Sequence, residues 1–325
     1  MDTTLGIVVD SGRLIATAPP LAVTLVQAVA GINGPELELL AQRPLDLRSA
    51  LERQADIRSG ADRIEPAPRI LLPAADEGRE LRVGWIGDNG RANWVFARSS
   101  NSSSGSSRGW RFRGRFTVPI ASGTSTSTDT VTIALAWPEI GFPERTFDLQ
   151  LPAAEVIARA SESIWDAPVA PGSPLPAGLP EQPIERVRPS GEIGRAVADP
   201  QVLLRNEVAV VALTRLSVQG ELLSAEIISV AKGQTADSIR AATFPRYRAP
   251  DRSDSAEPRA TIGVLVGGEI RPCAPMEGTG SGGDLAIRDV STFHFPRPDN
   301  NELQLLVSWP AAELAQTLIV LALTG

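Results

Sequence analysis

VTIALAWP (Val131–Pro138) and ELQLLVSWP (Glu302–Pro310) decide how this chain is read. Each is a strand-length run rich in Val, Ile, Leu and Trp. Each stops at a proline, which has no N–H to give to a ladder. Such a run is a buried β-strand. It occurs twice, each time at a similar distance behind its own upstream strands, and this implies one β-domain in two diverged copies.

Working upstream, the two halves keep the same order. Leu21–Ala30 and Glu36–Ala41 are β-type runs joined by a turn at Asn33-Gly34-Pro35. Their counterparts are Glu207–Ser217 and Leu222–Val230, joined at Gln219-Gly220. In both halves the run after the turn carries an acidic residue. A helical stretch follows at Pro44–Ser59, with Leu47, Leu51 and Ala55 on one face, Asp46 as a cap and Gly60 as a stop. Its counterpart, Thr235–Ala242, is shorter. Then come Glu80–Ile86 and Ala260–Glu269, matched through Gly84 and Gly263. A glycine inside a strand marks a bulge or a close backbone approach.

The remaining segments read as connections. Asp10-Ser11-Gly12 predicts a tight hairpin between Leu5–Val9 and Arg13–Ala16. Ser99–Ser107 and Ala121–Asp129 read as polar loops, and Glu277–Gly283 as a flexible glycine-rich turn. Pro152–Trp165 predicts a helix with Val156, Ala160 and Ile164 on one face. The expected architecture is mainly β: two tandem antiparallel sandwich or barrel-like domains with one or two helices. Their expected bounds are 1–165 and 200–325, with a proline-rich linker over 166–199.

Composition narrows the function classes. The chain has 325 residues, 42% hydrophobic and 21% charged, enough for two globular domains. Its net charge of −7 argues against a general nucleic-acid binder. A single cysteine, Cys273, leaves no intramolecular disulfide and no cysteine-built zinc site. The first residues carry no basic region ahead of a long apolar core, and the apolar run Leu318–Leu323 is too short to cross a bilayer, so a cytoplasmic location is expected.

The most distinctive polar stretch is RGWRFRGRF, Arg108–Phe116. On a strand, Trp110, Phe112, Gly114 and Phe116 face one way, and Arg111, Arg113 and Arg115 the other. Arginines interleaved with rings suit a phosphate or nucleic-acid surface. Plain amphipathic alternation, with the arginines in water or paired to acids, explains the same pattern. Trp110, Arg111, Arg113 and Arg115 are therefore the candidate partner-binding residues. Acid–base chemistry is thin: His294 is the sole histidine, so no Ser-His-Asp or Cys-His arrangement can be built without it; Cys273, between Pro272 and Ala274, reads equally as a buried or loop thiol and as a nucleophile; and Glu139 is the first acid to inspect. Asp88 has no repeating acidic neighbours that would hold Ca²⁺. Glu277–Gly283 lacks the Lys-Ser/Thr that a phosphate-cradling loop needs. No catalytic residue, cofactor or metal site is assigned.

The order of β-runs, a Gly-containing strand, a Gly-rich loop, Phe-Pro and a strand ending in Trp-Pro resembles a family of uncharacterised actinobacterial β-rich proteins. Gly263, Gly278–Gly283, Phe295-Pro296 and Trp309-Pro310 carry the resemblance. In the first half Gly84, Val118-Pro119, Trp137-Pro138 and the helix to Trp165 do so, with Val-Pro in place of Phe-Pro. The resemblance implies a β-rich domain ending in Trp-Pro, often followed by a helix, and no activity. The expectation is a non-enzymatic interaction or structural assembly protein that binds another protein or itself. The alternatives are a hydrolase-like enzyme with a carboxylate site between the domains, and a phosphate or nucleic-acid binder using Trp110–Phe116.

Overall fold

A computed structural model describes residues 4–18, 21–43, 49–60, 68–72, 81–95, 97, 99–106, 109–119, 130–176, 178–182, 194–243, 258–283 and 286–324. The chain divides into two compact units, Val8–Arg159 and Met1–Ile7 with Ala160–Gly325. The first residues go with the later unit because Leu5 N–H donates to the Glu162 carbonyl (2.9 Å) and Thr4 bridges Ser163.

The first unit contains β1 (Ile7–Ala18), β2 (Leu21–Gly31), β3 (Gly34–Arg43), α1 (Ala50–Ser59), β4 (Arg82–Ile86), β5 (Ala92–Val95), β6 (Ser99–Ser106), β7 (Gly109–Thr117), β8 (Thr130–Trp137), β9 (Phe142–Gln150) and α2 (Ala154–Ala160). Its larger sheet runs β1-β2-β3-β7-β6 and its smaller one β5-β4-β8-β9. The second unit contains β10 (Gly172–Pro174), β11 (Arg195–Ala198), β12 (Gln201–Arg205), β13 (Ala209–Gln219), β14 (Leu222–Lys232), α3 (Gly233–Thr243), β15 (Thr261–Val266), β16 (Glu269–Cys273), β17 (Glu277–Gly283), β18 (Ala286–Pro296), β19 (Glu302–Trp309) and β20 (Leu314–Ala322). Its larger sheet runs β11-β13-β14-β18-β17, with β12 also on β13, and its smaller one β10-β20-β19-β15-β16. Every pairing within these sheets that is resolved residue by residue is antiparallel. This is a sandwich-like arrangement, with no closed barrel among the described residues.

The two units repeat one set of pairings. In the smaller sheets Thr130 pairs Gln150 and Trp137 pairs Phe142; 172 positions on, Glu302 pairs Ala322 and Trp309 pairs Leu314. Both ladders shift register just before the Trp, between Leu135 and Trp137 and between Val307 and Trp309. Each proline then opens a single 3-10 turn, Pro138–Ile140 and Pro310–Ala312, closed by a left-handed residue, Gly141 and Glu313. Proline fits there because its φ is preset and its missing N–H is not required. Gly84 pairs Ala134, and Gly263 pairs Leu306, again 172 positions apart on the partner strand.

Apolar alternation builds the cores. In the second unit Leu213, Ala225, Ile227, Phe293 and Phe295 of the larger sheet meet Ile262, Val264, Leu305, Val307 and Trp309 of the smaller in one cluster. Trp309 Nε1 donates to the Pro258 carbonyl (3.0 Å), so burying the indole leaves no orphan donor. Ala236 and Ile239 of α3 join this core. The other face of the larger sheet carries Val202, Val210, Ala212, Ile228 and Val230, covered by Ile164 and Ala167. That double burial explains why β13 and β14 read as continuous apolar runs rather than alternating ones.

Several expectations are corrected. Asp10-Ser11-Gly12 is not a hairpin: β1 runs straight through it, with Gly12 at φ 67 and Arg13 paired to Asp10 (2.7 Å). The polar stretch at Ser99 and the glycine-rich stretch at Glu277 are not loops but the outermost strands of the larger sheets, because backbone pairing needs no particular side chain. The helix expected over Pro152–Trp165 is the short α2, with no buried residue; it stops before Ser163, whose carbonyl accepts the N–H groups of Asp166 and Ala167. Helix α1 starts at Ala50, capped reciprocally by Ser49 and Glu52, and Leu51 (74% exposed) and Ala55 of the expected stripe are both exposed. Asp46, Leu47 and Ala121–Asp129 lie outside the described residues. There are three described helices rather than one or two, and α3, at 11 residues, is one longer than α1 rather than shorter. Within the proline-rich stretch, Gly172–Pro174 adds a strand beside β20, and Glu181 bridges Ile270.

Candidate interaction surface

The arginine strand is β7. Phe112 and Phe116 are buried and on the core side, as the alternation requires, and Arg113 and Arg115 face the other way, half-buried. Arg113 is spent on an ion pair: its Nε donates to the Glu38 carboxylate on β3, which is itself buried. Arg115 pairs in register with Glu38. Trp110 and Arg111 take their places in the ladder opposite Arg43 and Gln42, and their side chains lie outside what is described. The strand thus supports the buried acid of its own sheet.

Glu38 belongs to a polar group that recurs. Hairpin β2–β3 bulges between Leu25 and Gln27, and Gln27 pairs Glu38. Hairpin β13–β14 bulges between Leu213 and Arg215, and Arg215 pairs Glu226. A bulge adds one residue and swings the next side chain to the opposite face. All four side chains are buried. Thr214, the extra residue, donates to Glu226 Oε1 (2.6 Å), and Arg215 Nε lies 4.0 Å from the same oxygen. Burial pushes the Arg215 guanidinium down to about 9. It still carries its charge at neutral pH. These groups fix register rather than line a reaction site. The trace they leave in the sequence is an acid inside an otherwise apolar run.

Other titratable candidates are dispersed. His294 lies on β18 between the buried rings of Phe293 and Phe295, on the opposite side of the strand. Cys273, on β16, packs half-buried against the core of the second unit, and burial pushes its thiol up to about 12, which favours the protonated thiol at neutral pH. The Glu144 carboxylate on β9 accepts the successive N–H groups of Ile70, Leu71 and Leu72 (2.7–2.9 Å), strapping that segment to the smaller sheet. Asp88 sits in the β4–β5 hairpin, where Asn89 Oδ1 accepts the Arg91 N–H (2.9 Å). The side chain of Glu139 lies outside what is described. Among the described residues no three His, Cys, Asp or Glu side chains gather as a metal site would need.

The rim completes the description. Among the described residues the larger sheet of each unit ends on a strand with a single paired neighbour, SSNSSSGS in β6 and EGTGSGG in β17. Neither carries a Pro or Lys to discourage further pairing.

No protein-family model matches the chain, and no curated protein does. Among solved structures it is similar to a conserved domain protein from Bacillus anthracis, 10% identical over 99% of this chain and 91% of that one, TM-score 0.24. It is also similar to bovine butyrophilin, 6% identical over 89% of this chain and 90% of that one, TM-score 0.19. Likenesses at that level fix neither fold nor function.

Proposed function

We propose that the chain is a non-enzymatic interaction or assembly protein, built from two diverged copies of one sandwich, that binds other protein chains through its sheet edges. One observation carries this. In each unit the larger sheet ends at the matching position on a Ser/Gly strand that pairs with one neighbour among the described residues. An open row of N–H and C=O groups is a template for another strand. The charged groups of the interior serve the sheets themselves, as Glu38–Arg113 and Arg215–Glu226 do. No helix among the described residues is long and apolar enough to cross a membrane.

The test is capture by the purified, tagged full chain from extract of the cells that make it, competed with untagged chain. A protein bound saturably and displaced by the untagged chain is the expected result. Turnover of chromogenic esters, phosphates or glycosides that is lost when the chain is immunodepleted would overturn the reading.

A further inference from the structure

The hairpin and outer strands of the two larger sheets correspond, β2-β3-β7-β6 to β13-β14-β18-β17, and at one matched core-side position an aromatic ring in one answers to a charge in the other. On β7, Phe112 is 3% exposed. Its ring and that of Phe116 close over Gly114, where a Cβ would stand 2.6 Å from Phe112 Cε1 and 2.9 Å from Phe116 Cε2. Leu37 pairs Phe116 as Ala225 pairs Phe293, so the residue on β18 matching Phe112 is Asp289. An aromatic plug in one unit is thus a carboxylate in the other.

Asp289 is half-buried and oriented: Ser291 Oγ donates to its Oδ2 (2.7 Å). Across the ladder it pairs Gly280 of β17, which is exposed. A Cβ built on Gly280 would meet only Asp289 Oδ1, at 3.8 Å. Gly278 and Gly282 pair Ser291 and Ile287, so they share this side of the strand. With Gly at 278, 280 and 282, β17 itself puts no side chain on this side between its outer edge and Asp289.

We propose that β17 accepts an extended segment of another protein as an added strand, and that an Arg or Lys of that segment reaches over Gly280 to Asp289. This rests on the reading that the sheet edges are the working surfaces. Strands lie about 4.8 Å apart, so the added strand would stand about 10 Å from β18, within reach of a long basic side chain but not of a short one. A guanidinium fork suits a carboxylate held by a neighbouring hydroxyl. Backbone pairing along β17 supplies affinity, and Asp289 supplies the choice of residue.

The test uses fluorescein-labelled TVRVRVT and TVEVEVT peptides with the full chain, read by anisotropy at low salt. Saturable binding of the arginine peptide, at least tenfold tighter than the glutamate peptide, is expected. Asp289→Asn should weaken it at least fivefold. Gly280→Val, which the open space at that position admits, should abolish it with the circular dichroism unchanged. Equal affinity for both peptides, full affinity in Asp289→Asn, or no binding of the arginine peptide would each overturn the assignment. If that happens while partner capture persists, the interaction reading stands and only its placement at β17 falls.

Discussion

Glu38 and Glu226 hold the same station on their sheets: each lies opposite the first paired residue after a bulge, Gln27 in one unit and Arg215 in the other. The two units balance the buried charge differently. Glu38 takes its counter-ion from Arg113 on the next strand, whereas Arg215 lies directly across from Glu226. Arg215 and Glu226 are both under a tenth exposed, so removing one partner takes a compensating charge away from the other in the interior. Glu226→Gln is expected to cost about 3–5 kcal/mol in urea unfolding, and Glu226→Gln with Arg215→Met to recover most of it. A double variant no more stable than the single one would show that the pair is not the seat of the loss.

The turn after each Trp-Pro gives a second prediction. Gly141 closes the first at φ 76, and Glu313 closes the second at φ 56, the one described non-glycine residue with positive φ. A Cβ in the left-handed region costs about 1–2 kcal/mol. Glu313→Gly should therefore raise stability by about 1 kcal/mol, and Gly141→Ala should lower it by a similar amount. Opposite signs at matched positions, seen as shifts in thermal midpoint, are the check.

Gly84 and Gly263 are matched but unequally tight. A Cβ on Gly84 would stand 2.5 Å from the Asn93 carbonyl oxygen, and one on Gly263 would stand 3.2 Å from that of Arg271. Both obstacles are backbone, which yields little. Gly84→Ala is expected to destabilise by about 2–3 kcal/mol, and Gly263→Ala by about 1 kcal/mol or less. Denaturant midpoints of the two variants decide it; the reverse ranking would mean that the first ladder relaxes more easily than its packing implies.

How much of this was legible follows from what kind of force shaped each element. The Trp-Pro strands, both long hairpins and the Gly84/Gly263 match could be read because burial imposes apolar side chains and close approach imposes glycine. An acid inside each apolar run was legible, but not which acid is buried, since ELELLA holds both Glu36 and Glu38, nor the bulge that turns the partners of Glu38 and Glu226. Strands β6 and β17 were not legible: edge pairing is made by backbone, and Ser/Gly sequences look like loops when they lie at a rim. β1 was misread because Asp-Ser-Gly favours a hairpin locally, yet pairing with β2 carries the chain straight through. The helix before Trp165 was overextended because Ile164 shares its period, whereas Ile164 is buried against the larger sheet of the second unit.

Cys273 supplies the pH prediction. Its thiol packs against the core, and burial raises its pKa from 9.0 to about 12, since the thiolate would lose its hydration there. Between those values the unfolded chain gives up the proton and the folded chain keeps it. The unfolded state then binds fewer protons, so this residue's contribution to stability is full below pH 9 and declines as pH rises towards 12. The stability difference between the natural chain and Cys273→Ala should therefore shrink above pH 9. At pH 8.5 the native thiol should react with iodoacetamide at least tenfold more slowly than in denaturant, because the thiolate is the nucleophile. Equal rates in the two states would place Cys273 in water rather than against the core.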